Sequence, residues 1–371
     1  MTTTPHSEDK LLVAMELSNS KWLLAFSAGD KVRRKSFDAR DRARFMQEVK
    51  LAKEKLGLDS ASSVLCCYEA GRDGFWIYRW LKQLGIDCLV IDPASIEVNR
   101  RKRRAKTDRL DAEAMVRLLG RYAGGEQNVW AVVRVPSEEQ EDELRLHREM
   151  ERLKKERTGH LNRIKALFIL HGVKLTGTLT KLSKNLDSLQ CWNQKPLAGE
   201  LKEEVRRELE RLRLVGEQIK LLEKRKVESL KNPQTNAEHQ AKDLMRLHGV
   251  GEVSAWVLSK EFFGWREFKN RREVASLAGL TPTPYNSGGS SVEQGISKAG
   301  NRRIRRVMIE LAWSWLRFQP DSALTNWFLD RYAKGGKRSR RIGIVAVARK
   351  LLVALWKYVE FGEVPEGAIV R

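Results

Sequence analysis

The chain has 371 residues, with 70 Lys and Arg against 48 Asp and Glu, a formal net charge of +22 and a pI near 10.0. That length exceeds one small domain, and so large a positive surplus calls for a polyanionic partner. A hydrophobic content of 42% supports real cores and argues against a disordered basic tail. No apolar run approaches the ~18 residues needed to span a membrane, and the opening MTTTPHSEDK lacks the charged-then-apolar pattern of a secretory signal. Cys66, Cys67, Cys88 and Cys191 make no CxxC pair and the six His are scattered. A disulfide scaffold or zinc finger is therefore disfavoured, and a cytoplasmic setting fits.

The N-terminal part reads as α/β. Three short apolar or alternating runs, residues 11–17, 21–27 and 32–37, are separated by Ser18-Asn19-Ser20 and Gly29-Asp30, the pattern of consecutive hairpins. Helical spacing follows over 39–56, then an apolar strand at 63–68 and a helix at 75–84, with Trp76, Trp80 and Leu84 on one face. A short strand at 88–91 and a helix over 107–122 complete the region. This order is that expected of an RNase H-like domain, and periodicity alone also allows other α/β folds.

The middle is charge-dense and helical over 138–170 and 200–230. In the second stretch Leu201, Val205, Leu209, Leu212, Val215, Ile219 and Leu222 form a heptad-like seam with charged flanks, serving either a two-helix arm or a dimer contact. Residues 176–195 look loop-like. From about Ala241 the chain is helical again. Leu247-His248-Gly249-Val250-Gly251 leads into an apolar turn at 253–258, a helix-hairpin-helix pattern whose glycines let the backbone approach a phosphate. A Gly-Ser-rich loop follows at 285–291, then basic clusters at Arg302, Arg303, Arg305, Arg306 and at 334–341, and a last apolar helix around 344–358. Trp76 and Trp80 read as core, whereas Trp313, Trp315 and Trp327 suit either a core or base stacking.

Four carboxylates sit at the edges of these elements. Glu16 interrupts the apolar first strand, Glu69 ends the fourth, and Asp108 and Asp111 share one face of the helix that starts near Thr107. In an RNase H-like fold these positions converge. Carboxylate oxygens suit hard cations such as Mg²⁺, and two such ions can serve phosphoryl transfer. Immediately before Asp108, Arg100, Arg101, Lys102, Arg103, Arg104 and Lys106 form a basic run that would guide a phosphate backbone, with salt-dependent affinity. Ser287, Ser290 and Ser291 lie in the Gly-Ser loop without a nearby His, so a nucleophilic role would need activation from elsewhere in the fold.

The block CYEAGRDGFWIYRWLKQLGIDCLVIDPASIEVNRRKRRAKTDRLDAEAMVRLL, with LHGVGEVSAWVLSKEF and LAGLTPTPYNSGGSSVEQGISKAGNRRIRR, closely resembles the DEDD-type transposases of the insertion-sequence one-ten family, in the right order and over nearly the whole chain. The resemblance implies a RuvC-like, RNase H-fold domain at 1–125, a helical coiled-coil region at 126–238 and a mostly helical C-terminal transposase domain at 239–371. It implies a recombinase that excises and inserts its own element, with donor and target DNA selected by pairing to a non-coding bridge RNA. The family's acidic set falls on Glu16, Glu69, Asp108 and Asp111, which would hold two Mg²⁺, and its Tyr-x-Ser-Gly nucleophile falls on Ser287. Glu16 stands where the usual pattern has Asp, so the carboxylate must reach by one further methylene. Gly249, Gly251, Lys298, Arg302, Arg303, Arg305, Arg306, Lys337, Arg338, Arg340 and Arg341 are then expected along the nucleic acid. The acids and Ser287 fall on different domains, so a composite site in a homodimer or tetramer is expected. Two rivals stand beside this reading: a Holliday-junction-type nuclease that uses the acids without Ser287, and a non-catalytic nucleic-acid-binding derivative.

Overall fold

The computed structural model describes residues 10–29, 31–96, 108–174, 179–287 and 290–371. It divides into two compact units, one up to Val135 and one over Pro136–Arg371, so the helical middle and the C-terminal part share a unit. Among the described residues no helix is long and apolar enough to cross a membrane.

The first unit is built on β1 (Lys10–Leu17), β2 (Lys21–Ala28), β3 (Lys31–Asp38), α1 (Arg42–Leu56), β4 (Ser63–Glu69), α2 (Trp76–Gln83), β5 (Asp87–Ile91) and α3 (Asp108–Ala123). The sheet order is β3-β2-β1-β4-β5. The β1–β2–β3 pairs are antiparallel, and β4 pairs parallel with both β1 and β5. β1 is central and apolar on both faces, and its period of two divides two cores. Leu11, Val13 and Met15 pack with Phe45 of α1 and Ile77 and Leu81 of α2. Leu12 and Ala14 pack with Ala112, Met115 and Leu119 of α3. β3 is an edge strand rich in Lys and Arg, which discourages pairing with another chain. Asp41 caps α1 by accepting from the Arg44 amide. Trp80 is buried and Trp76 half-buried, as expected of core residues, and the Arg42 guanidinium lies over both rings.

The second unit continues with α4 (Glu138–Glu143), α5 (Arg145–Leu170), α6 (Leu179–Asn185), α7 (Gly199–Lys231), α8 (Asn236–Arg246), α9 (Glu252–Leu258), α10 (Arg271–Leu277), β6 (Pro282–Ser287), β7 (Ser290–Ile296), α11 (Arg302–Phe318), α12 (Ala323–Phe328) and α13 (Lys337–Phe361). The seam on α7 is filled from within the chain. Met150 and Leu153, early in α5, meet Val215, Ile219 and Leu222, while Ile164, Leu167 and Phe168 meet Leu201, Val205 and Leu212. The helices therefore run antiparallel, flanked by Lys154–Glu223 at 2.9 Å and His160–Glu208 at 2.6 Å.

Three local expectations change. The helical stretch from 138 is two helices, broken at Leu144. The loop-like stretch at 176–195 contains α6 and a short turn at Leu186–Ser188, because Leu182 and Leu186 pack against the end of the α5–α7 pair. The Gly-Ser loop is a hairpin: Tyr285 pairs with Val292, Asn286 with Ser291 and Ser287 with Ser290. Backbone pairing holds these strands, and polar side chains carry little of the apolar alternation by which strands are recognised.

Candidate functional site

In the first unit, the structure brings three of the expected carboxylates to one end of the sheet. The parallel register sets Lys10 opposite Ser63 and Met15 opposite Tyr68, so the next step places Glu16 beside Glu69. Alternation along each strand puts both on the face of Leu12, Ala14 and Cys67, which is the face that α3 covers. α3 runs opposite to β1: a Cβ on Gly120, late in the helix, would stand 3.5 Å from Leu12 Cδ1, early in the strand. The start of α3 therefore lies toward the Glu16 end. Asp111 stands one turn before Met115, on the sheet-facing side. Asp108 opens α3, and its side chain lies outside the described residues.

Glu16 and Asp111 are half-buried and Glu69 is exposed. Among the described residues the Glu69 and Asp111 carboxylates have no hydrogen-bond or ion-pair partner. Other acids of the unit do: Glu48 holds Arg33 at 2.6 Å and Arg44 at 2.7 Å, and Glu113 of α3 holds Arg34. No three described His, Cys, Asp or Glu side chains stand close enough to hold one metal ion. The donor chemistry of Glu16, Glu69 and Asp111 nevertheless fits a hard divalent cation. The basic run Arg100, Arg101, Lys102, Arg103, Arg104 and Lys106 lies outside the described residues. Thiol chemistry is remote here. Burial raises the Cys66 and Cys67 thiols well above their usual range and pushes Cys88 up to about 12, so none is a thiolate at neutral pH.

In the second unit, Ser287 ends β6, with its side chain, like those of Ser290 and Ser291, outside the description. The base of this hairpin is tightly fixed. The Ser297 amide donates to the Thr281 carbonyl at 2.9 Å, and the Asn301 amide to the Leu277 carbonyl at 2.7 Å. Gly279 has φ +67°, and a Cβ there would lie 2.1 Å from the Ala299 carbonyl oxygen, so only glycine fits. Arg305 donates to the Lys298 carbonyl at 2.9 Å and the Ala278 carbonyl at 3.3 Å. Arg305 thus braces the hairpin base, and Lys298 takes part through its backbone.

The other basic candidates divide. Arg303 and Arg306 both hold Glu151 of α5, at 2.6 and 2.5 Å, and these bonds keep the Glu151 carboxyl below its usual range despite burial, which acts the other way. Arg302, Lys337, Arg338, Arg340 and Arg341 are exposed. They sit in the opening turns of α11 and α13, where the helix dipole disfavours cations, so helix stability does not explain them. Gly249 has φ +87° and lies against Phe318, where a Cβ would stand 2.9 Å from the Phe318 Cβ, and Ser314 Oγ donates to its carbonyl at 2.7 Å. Gly251 precedes α9 with open space around its Cα. Trp315 is fully buried and its Nε1 donates to Ser322 at 3.0 Å, whereas Trp313 is half exposed.

A buried charge cluster escaped sequence reasoning because most of its pairs join residues over 100 positions apart. Glu261 sits in a π-helical turn, Ser259–Phe263. It accepts from His147 Nε2 at 2.7 Å and from Arg148 at 2.8 and 2.9 Å. Burial alone would raise its carboxyl; the Arg148 and His147 contacts outweigh that and hold it well below the usual range. Next to it, buried Lys260 reaches Glu143 at 2.9 Å and Glu238 at 3.3 Å. This cluster ties α4 and α5 to the C-terminal helices.

Residues 241–326, which contain the glycine turn, the β6–β7 hairpin and all of α11, match the family described as "Transposase IS116/IS110/IS902 family". Over 377 aligned residues, covering 97% of this chain and 94% of the relative, the protein is 43% identical to y4rJ of Sinorhizobium fredii, which is named as a transposase. It is 27% identical over 238 residues, 63% of this chain and 65% of the relative, to the transposase for insertion sequence element IS1328 of Yersinia enterocolitica. It is 26% identical over 280 residues, 72% of this chain and 75% of the relative, to that for IS1533 of Leptospira borgpetersenii. The chain belongs to the IS116/IS110/IS902 family of transposases, enzymes that cleave and rejoin DNA.

Proposed function

We propose that this transposase excises and inserts its own element by serine attack on DNA phosphates, assisted by magnesium at Glu16, Glu69, Asp108 and Asp111 and guided by an RNA that pairs with donor and target DNA. The observation that carries the reading is the placement of Glu16 beside Glu69 in register, with the start of α3 and Asp111 toward the same end of the sheet. An antiparallel β1–β2–β3 followed by parallel β4 and β5 supports the RNase H-like assignment of the first unit.

Ser287 Oγ attacks the phosphorus and loses its proton, and the bond from phosphorus to one strand end breaks. The phosphoserine conserves the phosphodiester linkage. A hydroxyl of a second strand then attacks, displaces Ser287 and regenerates its hydroxyl, so rejoining needs no nucleotide hydrolysis. This agrees with a sequence that lacks a GxxxxGK[ST] phosphate loop. When bound, magnesium would supply Lewis-acid stabilisation of charge on the scissile phosphate. The net charge of +22 and the exposed cations that open α11 and α13 suit backbone contacts, while base pairing to the guide RNA would read sequence. Exchange between two duplexes needs several such sites, which a dimer or tetramer supplies.

The test is strand cleavage and joining by purified protein with its co-purified RNA. Ser287→Ala should abolish the covalent protein–DNA adduct and joining. Cleavage at full rate by that variant would overturn the serine mechanism and favour a structure-selective nuclease using the same acids. Sequencing the co-purified RNA tests guidance: no enriched element-encoded RNA overturns that part and leaves the serine chemistry standing.

A further inference from the structure

A second feature of the C-terminal unit lies outside these assignments. Between α10, α12 and α13 opens a cleft of about 1020 Å³, at the upper end of ordinary ligand-sized sites, bordered by Thr281 and Pro282 where β6 begins. β6 is the strand that ends in Ser287. Arg271 and Arg272 enter the cleft from α10, and Arg349, Lys350 and Lys357 from α13. Lys357 is held by Glu363 at 2.6 Å. Among the described residues Arg271, Arg272 and Arg349 have no carboxylate partner, in contrast with Arg303 and Arg306, which Glu151 neutralises. Among the described residues one acid, Glu366, lines the cleft.

The cleft also has an aromatic wall. Trp327 of α12 is half-buried, with Tyr332 set edge-on at 5.5 Å and Lys350 Nζ 4.6 Å from its ring centroid. Leu324 and Val353 add apolar lining. Uncompensated guanidinium groups favour phosphates, and a partly exposed indole in a concave wall favours the face of a base. Duplex bases are stacked on one another and cannot present that face, whereas an unpaired strand can.

We infer that this cleft holds unpaired nucleotides of the DNA strand being exchanged, stacking a base on Trp327 and taking flanking phosphates on Arg271, Arg272 and Arg349. The inference rests on the proposed recombinase reading for the choice of DNA, because the cleft adjoins the strand that carries Ser287. It adds a site for single-stranded character that neither the acids nor the helix-end cations supply.

The experiment is equilibrium binding of the full chain to a fluorescent single-stranded DNA oligonucleotide, to its duplex and to RNA of the same sequence, each over a series of salt concentrations. Trp327→Ala should weaken single-strand DNA binding about tenfold, leave duplex binding within about twofold, and be largely rescued by Trp327→Phe. Arg271→Ala combined with Arg349→Ala, the first exposed and the second half-buried, should lower the salt slope for the single strand by about 1.4, two phosphate contacts' worth, and it carries the test if Trp327→Ala misfolds. Unchanged single-strand affinity and slope in these variants overturns the inference, as does an equal loss on duplex. Loss confined to RNA overturns the assignment to DNA. The readout is binding, so the Ser287 mechanism can fail independently; absence of binding to any nucleic acid would sink both readings.

Discussion

The paired acids of the helical unit and the acids at one end of the sheet have opposite surroundings. In the helical unit, several carboxylates are consumed by structure: buried Glu261 holds His147 and Arg148, Glu238 and Glu143 hold Lys260, and half-buried Glu151 holds Arg303 and Arg306. In the sheet unit the core is apolar on both faces, and Glu69 and Asp111, at one end of it, lack partners among the described residues. A buried acid without a partner would be too unfavourable to keep, so Glu261 in the helical unit and Glu48 in the sheet unit are both paired. Acids left at a strand end carry no such requirement and remain available to a cation or substrate. A carboxylate's role here follows from its surroundings more than from its presence in a basic chain.

That contrast can be tested from both sides. The largest effect should come from Ser287→Ala, with strand joining reduced by about 10⁴-fold or more in a single-turnover assay. Glu69→Gln and Asp111→Asn should each lower cleavage by about 10²–10⁴-fold, while shifting unfolding free energy by no more than about 0.5 kcal/mol in denaturant titration. A large stability loss in either would show that these acids are structural after all. Glu261→Gln should do the reverse, destabilising the protein by about 3 kcal/mol because it leaves Arg148 and His147 beside a neutral group.

Acidification separates the same classes. The folded-state Glu261 carboxyl lies below its unfolded value of about 4.3, so its stabilisation is full above that pH and fades as pH falls toward the folded value. The wild type should lose stability below about pH 4, and Glu261→Gln should lose less over that window, as read by thermal melts. The smallest effect is expected at an exposed pair. Glu217→Ala, which removes the partner of Arg213 at 2.7 Å, should cost about 0.3–0.5 kcal/mol and less in high salt.

Much of the fold was legible in the chain. The short apolar runs of β1 and β2, the helical spacing of α1 and the seam of α7 each signal their element through residues a few positions apart. The strand-edge positions of Glu16 and Glu69 were legible for the same reason. The β6–β7 hairpin was not, because Ser, Gly and Asn pair through their backbone without an apolar period. The fate of the α11 arginines was equally hidden. Arg302, Arg303, Arg305 and Arg306 form one basic cluster in sequence, yet Arg302 is exposed, Arg303 and Arg306 hold Glu151, and Arg305 braces a turn.

The sequence by itself determined the two kinds of architecture, the polyanionic character of the partner and the identity of the carboxylates at the strand ends, because local periodicity and charge are written along the chain. Tertiary structure alone decided which partner fills the α7 seam, which cations are already neutralised, and that Arg271, Trp327 and Arg349 line one cleft. Those outcomes depend on groups between about 20 and 150 residues apart meeting in space, and no local pattern records such a meeting.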